Sequence, residues 1–266
     1  MLSPTRSHAS KSLALLLLAF AAAASGQTSV PLNTGYDHSS FSPYLSSPQA
    51  NDKYWINIAT YPPTGPPVAP SWVLNQLAPW APEFPATHWI SAWKTISSPP
   101  STSLENPGYT IFRKCFCLLP NFKNASLKFN VRSDDAIQVW FNTQTNVALP
   151  PHPGNHAAAT PWSSQASNPK WFRVGRNCIY VLLEDVGGFM GFDLVGTIQA
   201  EGLMPLPASG VKPDKEFECP CRGPKVIDNR SGSKRAVDDK EVIRELTRIA
   251  EKRRLERAAA RDVQQP

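Results

Sequence analysis

The chain has 266 residues and a formal net charge of +6, long enough for one sizeable core and too short for several domains. Residues 1–26 carry two basic and no acidic groups, residues 27–205 carry ten of each, and residues 206–266 carry fifteen basic and eleven acidic groups. The middle of the chain is therefore neutral, which removes the usual electrostatic case for gripping a phosphate backbone, and no nucleic-acid partner is expected.

Taken in chain order, Arg6 and Lys11 precede an unbroken apolar run from Leu13 to Ala24 and the small residues up to Gly26. This pattern predicts a secretory signal peptide over residues 1–26. Twelve apolar residues are too few to span a bilayer, for which about 20 are needed, so no membrane span is expected. No Cys follows the run, and the C-terminus is too polar for a glycolipid anchor. The expected product is a secreted, extracellular protein.

Residues 27–50 are rich in Ser, Pro and Asn and read as irregular. Period-two runs then predict strands at Tyr54–Thr60, Thr87–Trp93, Tyr109–Cys117, Ala125–Val131, Ala136–Asn142, Lys170–Val174, Asn177–Leu183 and Gly191–Ala200. Leu127, Phe129 and Val131 share one face, as do Ile137, Val139 and Phe141. Each run is bounded by Gly, Pro, Asn or Asp, and no helix-period segment lies among them. The fold class read from this is all-β, a sandwich formed by residues 27–205. Two long connections, 61–86 and 148–169, interrupt the rhythm, and long loops inside a compact domain are where ligands are usually met.

Beyond residue 205 the composition shifts to Pro, Lys, Gly and Ser, which predicts a linker over 206–236 containing Cys219-Pro220-Cys221. A charged helix is expected over 237–262, with seven acidic and eight basic residues interleaved from Asp238 to Asp262. Pairs one turn apart, Glu241/Arg244, Glu245/Arg248 and Glu251/Arg254, favour it. Its apolar stripe is thin, Val242, Leu246 and Ile249, before Arg253 interrupts the seam. A solvated single helix is the main reading, and a short self-associating, coiled-coil or partner helix the alternative.

Five cysteines remain after the leader, and an oxidising compartment favours pairing. Cys115 and Cys117 fall on one face of one strand and are badly placed to bridge each other, so one of them is expected to pair with Cys178. Cys219 and Cys221 lack zinc-site spacing and point to a tail disulfide or an intermolecular link. Asn124-Ala125-Ser126 and Asn229-Arg230-Ser231 are glycosylation acceptors in a eukaryotic source.

Two stretches carry a resemblance: Ser133-Asp134-Asp135-Ala136-Ile137-Gln138-Val139-Trp140-Phe141-Asn142, and the run from Gly175-Arg176-Asn177-Cys178 to Gly187-Gly188-Phe189-Met190-Gly191-Phe192. The first resembles the Asp-Asp, alternating strand, Asn core of galactose-binding-like jelly-roll domains, and the second their Gly-x-Asn, long strand, Gly-Gly ending. Tyr109 to Arg113 and Trp89-Ile90 match the elements such domains place earlier. The resemblance covers roughly residues 33–200 and is closest to the uncharacterised type in secreted bacterial proteins. It implies a jelly-roll β-sandwich with a C-terminal charged helical tail. In one respect the chain departs from the pattern: Thr143 stands where the family has Gly, so a longer or differently shaped turn is expected after Asn142.

Candidate sites follow from chemistry. Asp134 and Asp135 are expected to point to opposite faces, which argues against a shared acid/base role and favours a carboxylate capping backbone amides. A structural calcium on Asp134 or Asp135 is the minor reading, since jelly rolls of this kind often hold one. Sugar rings stack on exposed aromatics while Asn, Gln and His meet their hydroxyls. Trp162, in a long polar loop near His152, His156 and Gln165, is the leading candidate, with Trp89 and Asn142. His152-Pro153-Gly154-Asn155-His156 is not on a helix and lacks the geometry of a helical metal pair. No standard catalytic motif is present. The sequence thus favours a non-catalytic module that binds a glycan or another extracellular surface component, over a matrix protein assembling through its tail, and over a glycan-active hydrolase.

Overall fold

A computed structural model describes residues 27–38, 42–43, 50–61, 68–94, 107–206, 219 and 239–262. The leader, nearly all of the expected linker, Cys221 and the Asn229 acceptor lie outside the described residues.

The strands are β1 (Gln27–Pro31), β2 (Tyr36–Asp37), β3 (Ser42–Pro43), β4 (Asn51–Tyr61), β5 (Ala69–Val73), β6 (Ile90–Ser91), β7 (Gly108–Asp134), β8 (Ile137–Phe141), β9 (Thr143–His152), β10 (Trp162–Ala166), β11 (Gly175–Asp185) and β12 (Gly191–Leu203), followed by helix α1 (Asp239–Asp262). The described chain is thus mostly β with one C-terminal helix. The pairing order is β1-β12-β6-β5-β4-β7-β11-β8-β9, with β10 added to β7, and a further β12–β7 pairing closes the path β7-β4-β5-β6-β12 into a ring. Residues 27–50, read as irregular, include β1, which pairs with β12.

β7 organises the molecule. Two separate strands were expected where one runs for 27 residues. Its first part, up to Leu118, is paired by β4 and β11, and its second part, from Lys123, by β12 and β10. Residues 119–122 between them have no partner in either register, and Pro120 there has no N–H to give to a ladder. The second part alternates, with Leu127, Phe129 and Val131 buried in the main core and Lys128 exposed between them. The first part is buried on both faces, because Phe112, Phe116 and Leu118 enter the main core while Tyr109, Ile111 and Cys115 join a second cluster on the opposite face.

What covers that second face is the tail. Ala250 is 1% exposed and lies within the cluster with Trp140, Tyr180 and Leu182, and Ile243 and Ile249 pack against it. Thr247 returns its hydroxyl to the Ile243 carbonyl, Arg253 donates from Nη2 to Gln138 Oε1, and the Arg254 guanidinium lies 5.8 Å from the Tyr61 ring centroid. The solvated-helix expectation is therefore corrected: α1 is docked on the chain's own sheet, and Ile249, one of the residues assigned to a self-associating seam, is used there. Glu245 and Arg248 form the expected pair, whereas Arg254 turns to Tyr61.

Cysteine pairing reinforces the same face. Cys115 and Cys178 are directly opposite in the β7–β11 register, with Cα atoms 4.1 Å apart, and are disulfide-bonded. That short separation is the one found at non-hydrogen-bonded antiparallel pairs, where side chains come closest. Cys117 bonds Cys219, so the tail cysteine is linked within the chain.

Three further expectations change. Residues 87–93 contribute only the two-residue β6, and Pro169–Trp171 form a 3-10 turn capped by Asn168, where Lys170–Val174 had been expected as a strand. The turn after Asn142 is tight rather than long. Phe141 pairs directly with Thr143, and Asn142 itself takes the left-handed conformation at φ 61° that Gly usually supplies.

Candidate functional site

Two of the expected ligand residues are structural. Trp89 is 0% exposed and stacks in a small cluster with Trp80, ring centroids 4.2 Å apart; a sugar cannot reach it. Asn142 is 1% exposed and serves as a bracket. Its Nδ2 donates to the Trp171 carbonyl and to Asn177 Oδ1, and its Oδ1 accepts from the Cys178 amide.

Asp134 and Asp135 do not diverge. β7 ends at Asp134 and the chain bends at Asp135, so strand alternation no longer applies, and the two carboxyls lie close enough to perturb one another. The peptide between them is cis. Asp134 Oδ2 accepts from Trp80 Nε1 at 2.8 Å, and Asp135 Oδ2 accepts from the Val186 amide at 2.8 Å. His156 Nδ1 lies 3.2 Å from Asp134 Oδ1, within ion-pair range but outside hydrogen-bond geometry. Burial is the largest cause raising both acids, with the nearby Asp185 carboxylate adding to it, and Asp135, which also feels the Asp134 charge, is pushed up to about 7.

The calcium expectation does not fit this arrangement. Hard cations take six to eight oxygens, whereas one oxygen of each carboxyl is already taken, by the Trp80 indole and by the Val186 amide. Among the described residues no group of three or more His, Cys, Asp or Glu is placed to hold a metal. Instead the acid pair ties loops together, joining the segment of Trp80 to that of His156 and to the turn at Val186. The carbonyl of His156 also accepts from Ala81 N.

Of the remaining candidates, His152 lines a cleft of about 450 Å³ together with Ala136, Pro151, Pro153, Glu184, Arg253 and Glu256. His152 closes β9, and its ring stacks on Trp162 with centroids 4.2 Å apart and planes 19° from parallel. Trp162 is not in a loop as expected. It opens β10, paired with Val131, and its Nε1 donates to the Pro153 carbonyl at 3.1 Å. One half-buried indole thus holds both the imidazole and the proline segment of the cleft wall. Glu184, from the end of β11, is held by backbone bonds on either side of the bend, Asp135 N to Glu184 O and Glu184 N to Ala136 O.

The structure therefore brings His152 and Trp162 together and places His156 separately, at the acid pair. Sequence reading missed Glu184, Arg253 and Glu256. Glu184 was visible only as the polar end of an apolar strand, and the two helix residues as members of a charge pattern.

No protein-family model matches the chain, and no curated protein matches it. Among solved structures, similarity is found to a native family 35 carbohydrate-binding module from Clostridium thermocellum, with 11% identity and a TM-score of 0.27 over 64% of this chain and 97% of that one. The PA14 domain of the antifreeze protein MpAFP is similar at 16% identity and a TM-score of 0.26, over 62% of this chain and 93% of that one. A non-crystalline-cellulose-specific module, CBM28, gives 12% identity and a TM-score of 0.20, over 46% and 76%. At these identities and scores the likenesses assign neither ligand nor activity.

Proposed function

We propose that the chain is an extracellular, non-catalytic binding domain for carbohydrate, and that the ligand enters the cleft at Pro151–Pro153. One observation carries this reading: the cleft sets the apolar surfaces of two prolines and an indole-backed imidazole beside two carboxylates and a guanidinium. Pyranose rings have that same mixed character, with C–H faces that pack on flat apolar surfaces and hydroxyls that exchange hydrogen bonds with charged groups. The leader pattern and two disulfides support an extracellular setting. Among the described residues no helix is long and apolar enough to cross a membrane. The jelly-roll reading of the fold is supported by the way β7 serves both β4/β11 and β12/β10, although the ring β7-β4-β5-β6-β12 closes as a five-stranded barrel and not as two separate sheets.

The test is affinity electrophoresis of the mature protein through gels cast with soluble polysaccharides, with reducing-sugar release measured in parallel. Retardation without sugar release is expected. Trp162→Ala, which removes the backing of His152 and Pro153, is expected to weaken retardation about three- to tenfold, the equivalent of an aromatic contact of about 0.5–1.5 kcal/mol. Unretarded wild-type protein refutes binding, and sugar release refutes the non-catalytic assignment.

A further inference from the structure

We infer that His38 and Lys114 form an acid-sensitive latch, which holds the turn at residues 35–38 against the body of the domain at neutral pH and releases it in acid.

The latch sits where backbone pairing with the main sheet gives way to side-chain contacts. Thr34 is tied on both sides, its amide donating to the Leu194 carbonyl and its carbonyl accepting from the His88 amide. Beyond it the chain enters β2, which pairs with β3 in a two-stranded sheet separate from the main one. Side chains join this turn to the body. Asp52 Oδ2, from β4, accepts from the Gly35 amide at 2.7 Å, and Lys114 Nζ, from β7, lies 2.9 Å from His38 Nε2. The His38 ring stands edge-on to Tyr36 and Tyr54, with centroids 5.1 and 4.3 Å away. Lys114 is buried, donates also to the Asn33 carbonyl at 3.3 Å and lies 5.7 Å from the Trp55 ring centroid.

An ammonium group has donors and no acceptor, so the imidazole nitrogen that meets it carries a lone pair, and the ring is neutral with its hydrogen on Nδ1. Burial lowers Lys114 to about 8, against the pull of Asp52, which leaves it charged at neutral pH. A proton on His38 Nε2 would set two cations 2.9 Å apart in a largely buried place. Burial, with the Lys114 charge adding to it, accordingly pushes His38 down to about 2. Once the turn detaches, the ring returns to its ordinary value of 6.5, so the latch is fully effective above that pH and weakens as the pH falls below it. The other acids at the turn act in the opposite sense. Burial raises Asp52, and raises Asp193, which accepts from the Thr34 hydroxyl, to about 6; both hold protons more tightly in the folded chain and strengthen it in acid. Tyr36 is raised above 10.0 and keeps its proton throughout, Asp37 places a carboxylate on the turn itself, and the His88 ring is turned to Glu83 at 3.0 Å.

The experiment follows hydrogen exchange of the intact chain between about pH 7.5 and about pH 4.5, each amide referred to its unstructured rate at that pH, together with an NMR titration of the His38 ring. Protection of the amides of residues 35–38 is expected to fall about tenfold for each pH unit below about 6.5, and so about 100-fold by about pH 4.5, while protection in β7 and β11 holds. His38→Gln keeps an acceptor for Lys114 and cannot titrate, and is expected to flatten this dependence. Wild-type protection that does not change over the range overturns the latch. So does the same pH dependence in His38→Gln, which assigns the effect to another group. Where His38→Gln fails to fold, the wild-type ring decides: a ring that takes its proton near pH 6.5 while residues 35–38 stay protected overturns the inference, and a ring that takes it only as that protection is lost supports it.

Discussion

Ala250→Arg should release the tail helix, and the size of the effect follows from how little holds it. Ile243 and Ile249 are half-buried, which at 1.5–3 kcal/mol for complete burial gives about 1 kcal/mol each, and the Ala250 methyl adds less than that. The Arg253–Gln138 bond and the Arg254–Tyr61 contact add about 1 kcal/mol apiece. Docking is thus worth about 4–5 kcal/mol in gross terms, before the entropy of ordering the segment is subtracted. Ala250 is 1% exposed, so a long side chain there costs about 1–3 kcal/mol in overpacking, and its guanidinium must find a partner or leave. The perturbation matches the interaction, and the docked form becomes a minority. A detached 24-residue helix with so thin an apolar stripe is marginal by itself. Hydrogen exchange should therefore show protection across residues 239–262 in the wild type and its collapse in Ala250→Arg, while Leu255→Arg, at a position 57% exposed, leaves protection intact. Equal protection in Ala250→Arg and wild type would refute the docking argument.

Other consequences are testable in the same protein. Asp135 is raised to about 7 in the fold, so the folded state holds a proton that the unfolded chain releases near pH 4. Its contribution is fully present below pH 4, falls as pH rises towards 7 and is lost above it. Partial solvent access reduces the effect to about 1–2 kcal/mol, and Asp135→Asn should raise Tm relative to wild type at pH 8 but not at pH 4. Gly196→Ala would bring a methyl to 2.5 Å from the Lys128 carbonyl and 2.6 Å from Phe129 Cβ; the β7–β12 pairing must open, at about 3 kcal/mol by denaturant unfolding. Lys114 is buried, bonded to His38 and the Asn33 carbonyl, and electrostatically coupled to Asp52, whose carboxylate accepts from the Gly35, Tyr54 and Trp55 amides. Lys114→Met alone should cost about 3–5 kcal/mol, and Asp52→Asn added to it should recover part of the loss, since the stranded charge is the source of the penalty.

The alternating second part of β7 was legible because alternation is what a half-buried sheet imposes, and Leu127, Phe129 and Val131 lie in the core as read. Where a strand is buried on both faces, as from Tyr109 to Leu118, the pattern does not say what covers the second face, and the helix that covers it lies more than a hundred residues away. Arg253 illustrates the same limit. In sequence it interrupts an apolar seam, and in the fold that interruption faces Gln138 and the cleft. Of the site, His152 and Trp162 were found because aromatic residues in a polar stretch stand out. Glu184 was not, because a carboxylate ending a strand is indistinguishable from a solvated terminus until the bend at Asp135 turns its neighbours towards it. The convergence of Asp134 and Asp135 was hidden for a related reason, since period-two reasoning stops at the end of β7.

Binding of a sugar at the cleft of His152 and Pro153 is directly measurable. Isothermal titration with a soluble neutral oligosaccharide, repeated after His152→Ala and Trp162→Ala, reads binding at the cleft without depending on the indole that one variant removes. Saturable change in the wild type, weakened severalfold by either substitution, is the predicted result; saturable binding that neither substitution alters would place the ligand elsewhere and contradict the assignment of the cleft.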